Sequence, residues 1–103
     1  LYVSGQIPLD PESGELVGDS FAEQCHHVLL NLKIILEAGG SGLERVLKVT
    51  IYMKNLAQFG ELNEIYSEYF DVSKPARACV EVSNLPKGAD VEMDAIAEIS
   101  SVN

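Results

Sequence analysis

The fold class this sequence predicts is α+β: a mixed β-sheet with two helices packed on one face. Three observations predict it. Two long stretches, 20–38 and 56–70, repeat apolar residues at steps of three and four. Short runs of period-two alternation flank and separate them. The resulting order is strand, strand, helix, strand, helix, strand, strand, in which a right-handed crossover serves each strand–helix–strand unit. Both helices then fall on one face, and the other face is left uncovered. At 103 residues the chain is expected to be a single domain over 1–103 with one core.

Residues LYVSGQI at 1–7 read as a strand that runs into the turn-rich DPESGE at 10–15, with GELV at 14–17 as a second, very short strand. Ser20 and Glu23 form an S-x-x-E capping box at the start of the first helix. Phe21, Cys25, Val28, Leu29, Leu32 and Leu36 build its apolar stripe, and Gly39 and Gly40 supply the left-handed geometry that ends it. In RVLKVTIYMK, 45–54, the alternation puts Leu47, Val49, Ile51 and Met53 on one face and Val46, Lys48, Thr50 and Tyr52 on the other. Asn55 and Gln58 are the caps expected for a second helix over 56–70. Its stripe is Leu56, Phe59, Leu62, Tyr66, Tyr69 and Phe70, and Pro75 blocks continuation. ARACVEVS and VEMDAIAEI close the chain as a strand pair joined by a loop at 83–88.

Composition narrows the function classes. Seven basic against sixteen acidic residues give a net charge of −9, which repels phosphate backbones, and no basic run exceeds one residue. Nucleic acid is therefore not the expected partner. No apolar run approaches the roughly 20 residues of a membrane span, and no membrane partner is expected. Cys25 and Cys79 form neither a disulfide framework nor a metal-ligand spacing, which fits a reducing compartment. That compartment is the cytoplasm, or a mitochondrion if a targeting segment precedes Leu1. His26 and His27 splay about 100° apart on a helix and cannot share a metal.

The charges inside the last two strands carry the functional signal. Alternation places Ala78, Val80 and Val82 with Val91, Met93, Ala95 and Ala97 under the helices. Arg77, Cys79, Glu81, Glu92 and Asp94 are then expected on the free face, with Val46, Tyr52 and Ile96. A hairpin through 83–88 sets Cys79 across from Glu92 and Arg77 across from Asp94, a register that a one-residue slip would undo. A mixed apolar and charged open face also predicts burial against another subunit, where Arg77 becomes a desolvated fork for a carboxylate.

SGQIPLDPESGELV at 4–17 and PARACVEVSNLPKGADVEM at 75–93 closely resemble the reactive-intermediate deaminases, the Rid or YjgF family. NLKIILEAGG, KVTIYMKNL and FGELNEIYSEYF also look like their counterparts, so the resemblance covers essentially the whole chain. It implies a chorismate-mutase-like subunit in a homotrimer with a pocket at each subunit interface. The implied activity is cofactor-free hydrolysis of small 2-imino or enamine acids, such as 2-iminobutanoate and 2-iminopropanoate, to the 2-oxo acid and ammonia, with no metal. Carried over by residue, Arg77 clamps the substrate carboxylate and Glu92 holds the attacking water. Cys79 contributes backbone groups, Ser4 and Gly5 border the pocket, and Asn63 reaches in from the neighbouring subunit. The strand that precedes LYVSGQ in the family, with its ligand-covering aromatic residue, is absent from this sequence, and the link DVSK before the PAR strand is short. A sibling enzyme acting on a different imine-type acid is the alternative on the same scaffold. A non-enzymatic or endoribonuclease-type role as a translation inhibitor, described for some members, finds no basic stripe or paired histidines here.

Overall fold

The computed structural model describes residues 1–99. Its regular elements are β1 (Tyr2–Gln6), α1 (Phe21–Ala38), β2 (Val46–Met53), α2 (Phe59–Tyr69), β3 (Ala76–Glu81) and β4 (Val91–Ala97). The four strands form one mixed sheet in the order β1-β4-β2-β3. β4 runs antiparallel to both β1 and β2, whereas β2 and β3 are parallel and joined through α2. The fold class is the one expected: α+β, with both helices on one face of a mixed sheet.

α1 forms where its caps and stripe dictate. The Ser20 hydroxyl accepts from the Glu23 amide at 3.2 Å. At the far end Gly40 takes φ +82°, which lets the Ser41 amide turn back onto the Leu36 carbonyl at 2.8 Å. All six predicted stripe residues are buried, and they pack on Val3, Val49, Ile51, Met53, Val91, Met93, Ala95 and Ala97 of the sheet. Gln24 is the buried polar residue of α1. Its amide bonds both the Asp90 carboxylate and the Asp90 N–H, tying the helix to the approach to β4.

α2 departs from expectation at its start. Asn55 caps a separate 3-10 turn over Leu56–Gln58 by accepting from the Ala57 amide at 3.0 Å. Gln58 occupies the α2 N-cap position with no side-chain bond, and Leu56 is exposed. The short strand expected at 14–17 reduces to one bridge, Leu9 to Leu16, because Asp10 gathers the Glu12 amide and the Ser13 hydroxyl into a turn.

Two corrections concern sheet phase. A bulge between Val46 and Lys48 leaves Leu47 unpaired. Val46 therefore points into the core and Leu47 is 51% exposed, the reverse of the simple alternation. The second correction is larger. β2 lies between β3 and β4, so residues 83–88 do not close a hairpin, and neither Cys79–Glu92 nor Arg77–Asp94 is a cross-strand pair. The parallel register sets Arg77 beside Val49, Cys79 beside Ile51 and Glu81 beside Met53. All three thus share the helix side, and Ala78 and Val80 lie on the open face beside Thr50 and Tyr52. Glu92 and Asp94 remain on the open face, in rows with Tyr52 and Thr50.

Candidate functional site

Arg77 is the best-held cation of the described residues. It sits on the edge strand β3, whose backbone is kept extended from the start by Pro75. Its guanidinium lies 5.2 Å from the Phe59 ring centroid and 4.8 Å from that of Tyr66, both on α2. One of its N–H groups donates to the Asn63 Oδ1 at 2.6 Å. Two aromatic faces and one hydrogen bond fix the plane of the fork and leave its other donors unspent. Asn63 makes this contact from within the same chain, not from a neighbouring subunit.

An open cavity of about 410 Å³ lies beside Arg77, walled by Asn63, Tyr66, Ser67, Phe70, Lys74 and Pro75. Its charged walls are Lys74 and Arg77, and among the described residues no carboxylate lines it. The Tyr66 hydroxyl is buried and has no hydrogen-bond partner among the described residues. Burial pushes the pKa of this phenol up against an opposing pull from Arg77, so the group stays protonated. Phe59 and Tyr66, which hold Arg77, are functional residues that the sequence reading does not name as such, and it does not name Lys74. The signal for the two rings is the i, i+4, i+7 spacing of 59, 63 and 66, which aims one ring, one amide and one further ring at a single point; Lys74 carries no comparable signal.

Cys79 lies two residues along the same side. Its Sγ is 3.4 Å from the Met53 Sδ, and burial raises the thiol pKa more than Arg77 lowers it. A thiol held protonated, with no base beside it, is not a ready nucleophile. Its backbone, on the edge of the sheet, is the part open to a ligand.

Ser4 and Gly5 belong to a second cluster. The β1–β4 register shifts between Val3 and Gln6, and the Glu92 side chain fills the space this opens. A Cβ placed on Gly5 would lie 2.8 Å from Glu92 Cδ, so the glycine is what admits the carboxylate. On the same face the Tyr52 hydroxyl donates to Asp94 Oδ2 at 3.0 Å, which raises the phenol's pKa.

The structure therefore brings the candidates together in two groups, not one. Arg77, Asn63 and Cys79 cluster at the helix side of one sheet edge; Ser4, Gly5 and Glu92 cluster on the open face. β3 and β4 are two strand spacings apart, roughly 10 Å, and the two side chains leave opposite faces. Within one chain they cannot hold the same small molecule. An apolar cavity of about 310 Å³ between α1 and the 9–14 turn shares no residue with either group. Among the described residues no cluster of His, Cys, Asp and Glu is arranged to hold a metal.

The family described as Endoribonuclease L-PSP matches residues 1–99. A RutC family protein of Pyrococcus abyssi is 55% identical over 97 residues, which span 94% of this chain and 76% of that protein. A 2-iminobutanoate/2-iminopropanoate deaminase of Rattus norvegicus is 46% identical over 97 residues, spanning 94% of this chain and 71% of its own. The crystal structure of E. coli TdcF with bound serine superposes with a TM-score of 0.89 at 37% identity, covering 96% of this chain and 80% of that one.

Proposed function

The chain belongs to the Endoribonuclease L-PSP family, which takes in the Rid and RutC proteins, and from that premise we propose that it hydrolyses small 2-imino acids to 2-oxo acids and ammonia. The observation that carries the reading is the Arg77 fork, stacked on two rings and bonded to Asn63 with donors to spare. That is a prepared seat for a planar carboxylate. The serine held by the E. coli relative and the activity named for the rat relative support a 2-substituted small acid as the occupant.

The second half of the site comes from another copy. The Arg77 edge and the Glu92 face are different surfaces, so their contact is head-to-tail and closes as a ring, for which we propose a trimer. The open face offers what such a contact needs: Tyr2, Val80, Ile96 and Tyr52 among Glu92 and Asp94. With the carboxylate on Arg77, a water on Glu92 of the neighbouring copy attacks the C=N carbon. Glu92 takes the water's proton and passes it to nitrogen, then accepts the hydroxyl proton as the tetrahedral carbon expels ammonia and C=O forms. A protonated imine is already electrophilic, so orientation and one held water account for the step. The ribonuclease in the family's description finds no favouring observation here; the net charge of −9 opposes it.

The test is the rate of 2-oxobutanoate formation from 2-iminobutanoate, produced in place by threonine dehydratase and trapped competitively by semicarbazide. Acceleration by this protein and its loss in Arg77→Ala are expected. A folded protein that does not accelerate the reaction refutes the proposal, and light scattering that gives a monomer at micromolar concentration refutes the shared site.

A further inference from the structure

Resting on the deaminase reading, we infer that the cavity beside Arg77 selects acids with a second carboxylate, and that Lys74 receives it. The preferred substrate is then a dicarboxylic 2-imino acid of about five carbons rather than a short monocarboxylic one.

Charge is the first argument. The chain carries sixteen acidic residues against seven basic ones, so a cation with no carboxylate partner runs against the composition. Among the described residues a single ion pair forms, Lys54 with Asp90 at 3.4 Å. Neither Lys74 nor Arg77 pairs with a carboxylate of the described residues, and both wall the same cavity, which none of those carboxylates lines. An otherwise repulsive surface thus holds a local well for a small dianion.

Spacing is the second. Pro75 keeps the segment from Lys74 extended, so the two Cα atoms lie at most roughly 10 Å apart. The Arg77 head is fixed by Phe59, Tyr66 and Asn63, whereas the Lys74 head is free to adjust. One carboxylate is therefore placed by the rigid fork, and the flexible ammonium reaches the other.

Lining is the third. Between the cations the wall is Tyr66, Phe70 and Pro75, with the two rings 4.7 Å apart, a surface for methylenes. Ser67 spends its hydroxyl proton on the Asn63 carbonyl at 2.8 Å and offers no competing donor there. The cavity's volume of about 410 Å³ admits the diacid as well as the monoacid, so the two cations and the lining between them carry the selectivity.

The experiment compares kcat/KM for 2-iminoglutarate and 2-iminobutanoate, made in place by D-aspartate oxidase on D-glutamate and D-amino-acid oxidase on D-2-aminobutanoate, with catalase and semicarbazide competition. Oxidation removes the Cα stereocentre, so these imines are the ones the L-acids give. The diacid-to-monoacid ratio is expected to exceed one. It should fall roughly two- to fivefold in Lys74→Ala, the worth of one solvent-facing ion pair, fall further in Lys74→Glu, and survive in Lys74→Arg. A ratio that is the same in wild type and Lys74→Ala overturns the inference. Calorimetry with glutarate and butanoate separates the two readings. Lys74-dependent preference for glutarate without imine turnover defeats the deaminase and leaves the dianion cavity standing; equal affinities defeat the cavity's selectivity whatever the turnover.

Discussion

Gly5→Ala is the sharpest probe of the Glu92 half of the site. The added methyl would lie 2.8 Å from Glu92 Cδ and 3.3 Å from Cγ, against 3.4–4 Å for ordinary contact. Glu92 Oε2 is nearer still, so the carboxylate must retreat by more than about 1 Å or rotate out of the bulge. The backbone does not resist the change, because Gly5 is not among the glycines with positive φ. The displaced group is the end of a half-exposed side chain, so the cost to folding is small, within about 0.5 kcal/mol. Activity is a different matter: a misplacement of about 1 Å in a water-holding group is worth about a hundredfold in rate. Expected is a kcat for 2-iminobutanoate down about a hundredfold, close to the loss in Glu92→Gln, with KM little changed because Arg77 is untouched. The assay pairs semicarbazide-competition kinetics with thermal unfolding of the same sample. A Gly5→Ala protein with wild-type kcat would refute the placement of Glu92 at the reacting water. One whose Tm collapsed would refute the claim that only the carboxylate moves.

Tyr66→Phe keeps the ring under Arg77 and deletes a buried hydroxyl that has no partner among the described residues; stability should rise by about 1 kcal/mol, read as a higher urea midpoint, and a fall would show that the hydroxyl is bonded in solution. The Cys25 thiol is pushed up from 9.0 to about 12 by burial, with Glu61 and Asp90 adding to it. The raised folded value means stability is complete below pH 9 and is lost as pH climbs toward 12, at about 1.4 kcal/mol per unit. Urea midpoints between pH 8 and 10.5 should fall more steeply for wild type than for Cys25→Ala, and parallel curves would refute the assignment. Leu47→Lys should cost no more than about 0.5 kcal/mol, whereas Val46→Lys, burying an ammonium, should cost several; equal costs would refute the bulge.

How far the sequence could be read depended on whether a local signal decided the matter. α1 was legible to the residue because the Ser20 cap, the six-residue stripe and the Gly39–Gly40 stop are all local. β4 was legible because Val91, Met93, Ala95 and Ala97 alternate against Glu92 and Asp94 with no competing phase. The family motifs around Arg77 and Glu92 named the candidates, but only pairing could place them. ARACVEV alternates equally well in either phase, and burial of its apolar set was the natural choice. The crossover through α2 decides otherwise: it lays β3 parallel beside β2, Val49 takes Arg77 as its neighbour, and every side chain on the strand changes face. Nothing within residues 76–82 reports that register, since its cause is the pairing partner.

The reversed phase has a consequence for assembly. Arg77 can face α2 without an unfavourable burial because Phe59 and Tyr66 offer ring faces and Asn63 an oxygen, three partners that the phase chosen from apolarity alone would have left unused. The cost appears on the other side of the strand, where Val80 is 42% exposed beside Tyr52, on the face that also leaves Tyr2 82% exposed. An edge strand whose apolar residues face outward while its charge faces the helices gains nothing as an isolated subunit. It gains in the proposed ring, where a second copy covers Val80 and the same contact carries Glu92 toward the fork. The substitution Val80→Asp separates these cases: a self-sufficient subunit would keep its stability and mass, whereas the ring predicts loss of the trimer by light scattering and, with it, of deaminase activity, although Val80 touches neither Arg77 nor Glu92 in the proposed chemistry.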